Sequence, residues 1–198
     1  MRHLIVFCEG PTEQGFCAQV LQPHLFPSWN GQIHTLGVGV RNYRHVFGIG
    51  PLKKYETVRK FIMNTIKQRY GKDVYFTTLF DLYALSNDFP GTDANIRNAA
   101  NPTPYVVALE KAFGDDINHY HFIPYLQLYE FETMLFAEPQ AFRISFENCE
   151  DELQELQRIA TSETSIEHID EGNETAPSKR IIAVIPEYGG RKSSAGQT

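Results

Sequence analysis

The feature that most constrains the fold is a short apolar run near the start of the chain, Leu4-Ile-Val-Phe-Cys8. A continuous run of this length is typical of a strand buried on both faces of a parallel sheet. The segment Gly10-Pro11-Thr12 then has the residues of a turn and a helix start, and Phe16, Val20 and Leu21 recur at helical spacing. The chain therefore opens with a strand followed by a helix.

The same alternation continues along the chain. Further strands are predicted over residues 32–40, 74–80 and 121–128, and further helices from about Pro51 and over 105–113 and 133–142. Pro124 favours a bulge or an edge position for the strand that contains it. Strands that alternate with helices predict an α/β fold, in which a mostly parallel sheet is flanked by helices.

The length of 198 residues favours one domain, and 42% hydrophobic residues are enough to bury a core. Beyond Glu147 the composition becomes acidic and helix-like. We therefore expect an α/β domain over residues 1–146 and an acidic helical C-terminal extension over 147–198 that packs on the same domain.

Several classes of protein are disfavoured by the sequence. No apolar run approaches the roughly 20 residues that span a bilayer, and the N-terminus reaches Glu9 too early for a signal peptide. The three cysteines are odd in number and form no CxxC pair, which argues against a disulfide framework or a zinc knuckle. We expect a cytoplasmic protein with buried thiols and no membrane partner.

The net charge of −6 conceals two segments of opposite sign. Residues 41–72 contain nine basic residues and one acidic residue, for a net charge of +8. Residues 147–174 contain ten acidic residues and one arginine, for a net charge of −9. The average charge therefore does not exclude nucleic acid, because phosphate binding depends on local cationic surface.

Carboxylates follow three of the predicted strands. Glu9 follows the first strand, Asp81 the strand at 74–80, and Glu130 and Glu132 the strand at 121–128. Ligands of parallel sheets bind beyond the carboxyl ends of the strands, and oxygen donors suit Mg²⁺ or Mn²⁺. The ordinary alternative for each carboxylate is a loop position or a helix cap.

Four sequence blocks resemble a known family. Glu9-Gly10-Pro11-Thr12-Glu13 is similar to the opening of TOPRIM domains, as found in the overcoming-lysogenisation-defect nucleases. In combination with FDLYALSNDFPG (80–91), YLQLYEFETMLFA (125–137) and TAPSKRI (175–181), it resembles a bacterial TOPRIM-like family of unknown function that often lies beside ATPases in mobile or defence loci. The resemblance implies a TOPRIM-like fold and Mg²⁺-dependent cleavage of DNA or RNA, with phage defence as a context.

The resemblance implies roles for particular carboxylates. Glu9 matches the TOPRIM glutamate, and Asp81 matches the first residue of the usual D-x-D pair. The second residue of that pair is replaced by Tyr83. Further ligands or catalytic groups would come from the remaining nearby carboxylates, which are Glu13, Asp88, Glu130 and Glu132.

A second resemblance is narrower. Phe80-Asp81-Leu82-Tyr83 is similar to the F-D-x-D opening of haloacid-dehalogenase phosphatases, whose first aspartate is the nucleophile. Tyr83 removes their second aspartate, and the motif lies in the middle of this chain. We therefore favour the TOPRIM reading.

Basic side chains supply candidate phosphate contacts. They are Arg41, Lys53, Lys54 and Lys60 in the basic segment, and Lys179 and Arg180 at a predicted helix start after Pro177. Tyr43 or Tyr55 would stack on a base. The ordinary alternatives are a solvated helix face and a surface turn.

Two functions remain open. The first is a Mg²⁺- or Mn²⁺-dependent nuclease on DNA or RNA. The second is a non-catalytic partner or regulator of an ATPase encoded nearby, in which the metal site has degenerated.

Overall fold

The computed structural model describes residues 1–38, 54–69, 71–92, 102–163, 165–169 and 175–195, with side chains up to Arg191. The chain divides into two compact units, Met1–Gln127 and Leu128–Thr198. The boundary predicted after residue 146 lies inside the second unit. The predicted packing of an acidic extension on the first domain stays a prediction.

The first unit alternates strands and helices. Its elements are β1 (Arg2–Cys8), α1 (Pro11–Phe16), a π-helical turn (Cys17–Leu21), α2 (Gln22–Trp29), β2 (Gly31–Gly37), α3 (Tyr55–Gln68), β3 (Val74–Asp81), a 3-10 turn (Leu82–Ala84), α4 (Thr103–Ile117), β4 (Phe122–Ile123) and β5 (Leu126–Gln127). The helix predicted from Pro51 begins at Tyr55 within the described residues. Part of the predicted strand 32–40 lies outside them.

The strands form one parallel sheet in the order β2-β1-β3-β4, and β5 also pairs with β3. Every strand pair in the described part of the chain is parallel, so the predicted α/β fold with a mostly parallel sheet flanked by helices is confirmed. The carboxyl ends of the central strands β1 and β3 are adjacent, with Cys8 opposite Leu79.

The core of this sheet follows from the apolar runs. Ile5 and Phe7 of β1 share one face with Phe76 and Phe80 of β3, and all four are almost fully buried. The Phe7 ring meets the Phe61 ring of α3 edge to face, with ring centroids 5.9 Å apart. The continuous apolar run therefore makes the central strand, as predicted.

The predicted strand at 121–128 is interrupted at Pro124. The residues before and after the proline form the separate strands β4 and β5 on the same side of β3. In the gap, the Thr78 hydroxyl donates to the Tyr125 carbonyl (2.7 Å) and accepts from the Tyr125 amide (3.0 Å). A side chain thus replaces ladder hydrogen bonds where the proline breaks the edge strand.

The second unit contains only helical elements among its described residues. They are 3-10 segments at Phe131–Ala137, Pro139–Ile144 and Ile166–His168, and the α-helices α5 (Glu150–Ala160), α6 (Pro177–Val184) and α7 (Tyr188–Ala195). The α-helix predicted over 133–142 is wrong in type, because this stretch forms two 3-10 segments separated at Glu138.

The core of the second unit is built from helix faces. Leu153 and Leu156 of α5 pack with Ile181 of α6 and Tyr188 of α7, and each of these side chains is at most 1% exposed. The buried residues recur three to four positions apart, as an amphipathic helix requires. All three cysteines of the chain are buried thiols, as predicted.

Candidate functional site

Glu9 lies at the carboxyl end of the sheet. β1 ends at Cys8, and the Glu9 side chain reaches the end of the neighbouring strand, where its Oε1 accepts a hydrogen bond from the Asp81 backbone N–H (2.6 Å). Seventy-two positions separate these residues in sequence. The structure therefore brings together the two strand ends that the sequence predicted to meet.

Glu13 lies one helical turn after Glu9. Pro11 is the first residue of α1, and Glu13 Oε2 accepts a hydrogen bond from the Gly10 backbone N–H (2.8 Å). This is the glutamate half of a capping box, which satisfies an N–H at the helix start. A Cβ at position 10 would lie 3.3 Å from Glu13 Oε2, so glycine leaves room for the carboxylate.

The electrostatic state of Glu9 is unusual. The pKa of Glu9 is raised to about 8, chiefly by burial and also by the neighbouring negative charge of Glu13, against the opposing effect of the Asp81 N–H. The Glu9 carboxyl group therefore carries a proton at neutral pH. Such a perturbed carboxyl beside a second carboxylate is typical of functional sites, although structural networks also produce it.

Buried thiols lie beside this carboxyl group. Cys8 and Cys17 are both completely buried. A hydrogen bond with Cys17 and burial both raise the pKa of the Cys8 thiol, with smaller contributions from the charges of Glu13 and Glu9. The thiol stays protonated, so it adds no further negative charge beside Glu9 and Glu13.

Asp81 is the last residue of β3 and is only partly buried. The 3-10 turn Leu82–Ala84 follows it directly and leaves the Tyr83 side chain 48% exposed. The aromatic side chain that replaces the second aspartate of the D-x-D pair thus lies on the surface, two residues beyond Asp81. Its exposure could not be read from the motif, which predicts only the missing carboxylate.

Asp88, predicted as a metal ligand, lies at the start of α3. Both of its carboxylate oxygens are 3.1 Å from the Tyr55 backbone nitrogen, which donates to them. Tyr55 is the first residue of α3, so Asp88 satisfies an N–H that has no partner within the helix. Asp88 therefore caps the start of α3, which is the ordinary alternative to a role as a metal ligand.

Glu130 and Glu132 belong to the second unit. Glu130 Oε2 accepts a hydrogen bond from the Ser178 backbone N–H (3.0 Å) in the first turn of α6. Glu132 is buried in the 3-10 segment Phe131–Ala137, with 8% of its surface exposed. The 3-10 segment begins directly after Glu130, so the two residues do not continue a strand, in which they would share one face.

The predicted phosphate site after Pro177 lies at the start of α6, where the Glu130 carboxylate already accepts the Ser178 N–H. In addition, the Arg180 Nε donates to the Thr175 carbonyl (2.7 Å), while Lys179 is exposed. The start of α6 is thus already supplied with an anion by its own unit. Phosphate binding by Lys179 and Arg180 stays a prediction.

The basic segment is described only in part. Arg41, Tyr43 and Lys53 lie outside the described residues. Lys54 is exposed at the start of α3, and the Lys60 ammonium lies 3.2 Å from Glu56 on the same helix. This i,i+4 pair is exposed, so Lys60 remains accessible to solvent.

The prediction that Tyr55 stacks on a base is wrong. Tyr55 is buried, and its hydroxyl donates to Asp116 Oδ2 (2.5 Å), which also accepts from Arg59 Nε (2.7 Å). These contacts join α3 to α4 across 61 positions of sequence. No local pattern in the sequence marks Asp116 as the partner.

A fit to a divalent cation rests on Glu9, Glu13 and Asp81. The charge that acts on buried Glu9 is another negative one, so a cation would favour the ionised form of both carboxylates. In residues 1–38, 54–69, 71–92 and the other described ranges, no three His, Cys, Asp or Glu side chains are placed together so that they could hold a metal ion. A cation at this end of the sheet would therefore be held by at most two of these carboxylates, with water as its remaining ligands, as in Mg²⁺ sites.

The fold and these carboxylates define an α/β protein with an acidic strand-end site. The chain belongs to the family described as a domain of unknown function, DUF4276, which it matches over residues 8–198. No curated protein and no solved structure gives a significant match. None of the described helices has both the length and the apolar character needed to cross a membrane.

Proposed function

We propose that this chain is a TOPRIM-like, divalent-metal-dependent nuclease that hydrolyses phosphodiester bonds in DNA or RNA. One observation carries the proposal: the Glu9 carboxyl group is largely buried at the end of β1, bonded to the end of β3, and next to Glu13. The family resemblance gives the same glutamate the leading role. Cytoplasmic location and a mobile-element or phage-defence context rest on the resemblance alone.

The hydrogen bonds of these carboxylates are compatible with metal binding. A carboxylate has about four lone-pair positions, and the Asp81 N–H occupies one position on Glu9. Glu9 and Asp81 would hold Mg²⁺ or Mn²⁺, with water as the remaining ligands. The bound ion would activate water and stabilise the negative charge that develops on the phosphate.

The chain's own residues would position the substrate. Lys54 is exposed at the start of α3, which is bonded to the loop after β3 through Asp88. Arg41, Lys53 and Lys60 would add further contacts to the phosphates of the nucleic acid. Such contacts position a nucleic acid without reading its sequence. Tyr83, exposed beside Asp81, replaces Tyr55 as the candidate for base stacking.

Cleavage assays test this proposal directly. Single- and double-stranded DNA and RNA are incubated with the protein and Mg²⁺ or Mn²⁺. We expect Glu9→Gln and Asp81→Asn each to reduce the cleavage rate by at least about a hundredfold. Loss of a direct metal ligand lowers activity more than loss of a residue that only contacts a ligand. Asp115→Asn is the matched control, since Asp115 is exposed and pairs with Lys111. Cleavage that Glu9→Gln and Asp81→Asn leave unchanged would exclude this site.

A second candidate is a non-catalytic regulator of an ATPase encoded by a neighbouring gene. The supporting observation is that Glu9, Glu13, Asp88 and Glu130 each accept a hydrogen bond from a backbone N–H. The test measures the ATPase rate of the neighbouring gene product with and without this chain. A changed rate together with no cleavage of any nucleic acid would favour this candidate.

A further inference from the structure

Two histidines meet at the amino end of the sheet, opposite the end that contains Glu9. His3 lies on β1 and His34 on the neighbouring parallel strand β2. Nδ1 of His3 is 3.0 Å from Nε2 of His34, and the ring centroids are 5.2 Å apart. Both side chains are partly buried, and β2 is the edge strand of the sheet order.

We propose that His3 and His34 form a binding site for one borderline transition-metal ion, Cu²⁺ or Ni²⁺, with water as the other ligands. Two nitrogens at about 2.1 Å from a metal lie about 3.0 Å apart when they subtend a right angle, and about 3.4 Å apart in a tetrahedron. The facing nitrogens are hydrogen-bond partners 3.0 Å apart, so a turn of both rings brings either separation within reach. The choice of metal rests instead on affinity, since nitrogen sites bind Cu²⁺ and then Ni²⁺ ahead of the earlier first-row divalent ions. This site has imidazole nitrogen ligands, whereas the site proposed at Glu9 has carboxylate oxygen ligands.

The strand backbones hold the two ligands in place. The two strands pair from Arg2 opposite Gly31 to Cys8 opposite Gly37, and the His3 N–H donates to the Asp73 carbonyl (2.8 Å). A fixed backbone reduces the ordering cost of binding. Because the two nitrogens face each other, each ring must turn about its side-chain bonds for both lone pairs to meet at one ion.

The proton balance is simple. Burial first, and then the charges of His3 and Arg69, lower the pKa of His34, which favours the neutral ring that a metal ligand requires. One of the two facing nitrogens donates an N–H to the other. On metal binding that proton moves either to the second nitrogen of the same ring or to solvent.

Metal titration of the full chain tests the proposal. Cu²⁺ and Ni²⁺ are added separately and followed by calorimetry, and the Cu²⁺ sample is examined by electron paramagnetic resonance. We expect one ion per chain, nitrogen hyperfine structure from two imidazoles, and at least about tenfold weaker binding in His34→Asn, because half of the protein ligands are lost. His24→Asn is the matched control, since His24 is exposed on α2, and it should bind as the unaltered chain does.

A different ligand set is possible at the start of the chain, where a terminal amine and the His3 amide could hold the metal. A second sample therefore carries Gly-Ser before Met1. Binding of unchanged affinity in His34→Asn, or binding that the Gly-Ser extension abolishes, overturns the proposal, as does the absence of any binding. If His34→Asn does not fold, selective paramagnetic broadening of the His3 and His34 ring signals by Cu²⁺ in the unaltered chain gives the same answer.

Discussion

Similar acidic residues have different surroundings in the two units. In the first unit, Glu9 follows a buried strand and lies next to Glu13, and its pKa is raised to about 8. In the second unit, Glu130 precedes a 3-10 segment and accepts the Ser178 N–H at the start of α6. Both carboxylates follow predicted strand residues, yet their neighbours differ, because Glu9 lies beside a second negative charge and Glu130 accepts an N–H at the start of a helix.

The contrast shows what separates a structural carboxylate from a candidate ligand. Helix starts offer N–H groups and a partial positive charge, so a carboxylate such as Glu130 is satisfied without a cation. Glu9 receives one N–H but stays beside the like charge of Glu13. A carboxyl group in that position retains a proton or attracts a cation. Glu9 is therefore a better candidate for a metal ligand than Glu130.

The largest expected effect is a pH dependence that originates at Glu9. Its folded-state pKa of about 8 lies above the usual value of 4.5, so the folded state binds the extra proton. The contribution of Glu9 to stability is therefore fully present below pH 4.5 and is lost as the pH rises from there through 8. The total loss is on the order of 5 kcal/mol, at about 1.4 kcal/mol for each pH unit between these values.

Hydrogen exchange of the β1 and β3 amides between pH 5 and 9, corrected for intrinsic exchange, measures this dependence. Glu9→Gln keeps an acceptor for the Asp81 N–H but cannot ionise, so it should flatten the profile. A profile that is equally steep in Glu9→Gln would assign the effect to another group.

Loss of packing in the second unit gives the next largest effect. Leu153 of α5 is 1% exposed within the helical core. Leu153→Ala should lower the free energy of unfolding of this unit by about 2–5 kcal/mol, because it removes buried apolar contacts and leaves a cavity. Urea unfolding followed by hydrogen exchange in α5 and α6 gives the value, and a loss below about 1 kcal/mol would contradict this core. Arg158→Ala, on the exposed face of α5, is the control.

Removal of the Glu130 carboxylate gives a smaller effect. Glu130→Ala leaves the Ser178 N–H of α6 without this acceptor and should destabilise the second unit by about 1–2 kcal/mol. Glu130→Gln keeps an oxygen acceptor and should recover most of that loss. Thermal unfolding of both variants measures the difference, and equal losses would show that hydrogen bonding to Ser178 contributes little.

The smallest effect on stability is expected from Glu13→Gln. Glutamine still accepts the Gly10 N–H, so the stability at pH 5 should change by less than about 0.5 kcal/mol. Removal of the negative charge should, however, lower the pKa of Glu9, since Glu13 raises it. Carbon-13 chemical shifts of the Glu9 carboxyl group during a pH titration detect this change. An unaltered pKa would mean that Glu13 does not act on Glu9.

The sheet could be predicted because its signals are local. The apolar run at Leu4–Cys8 and the β-branched and aromatic run at 74–80 each specify a buried strand, and the carboxylates that follow them, Glu9 and Asp81, lie together because parallel strands share one end. The amphipathic pattern likewise indicates α3. These features need no knowledge of distant contacts.

The structural roles of the other carboxylates could not be predicted, because their partners are far away in sequence. Asp88 binds the Tyr55 N–H from 33 positions away, and Glu130 binds the Ser178 N–H from 48 positions away. Only the capping box between Gly10 and Glu13 has a local signature, the three-residue spacing. The 3-10 segments within 131–144 could not be predicted from local sequence either, because tertiary packing decides between helix types of similar energy.

The most direct test of the central claim is the pKa of Glu9 with and without Mg²⁺. In a sample with carbon-13-labelled glutamate carboxyl groups, we predict a pKa near 8 without metal. A saturating concentration of Mg²⁺ should move it well below 7, because a bound cation favours the ionised carboxylate. The same addition should not change the carboxyl chemical shift of Glu130, which accepts the Ser178 N–H. A pKa of Glu9 that stays near 8 in Mg²⁺ would contradict a metal site at this end of the sheet.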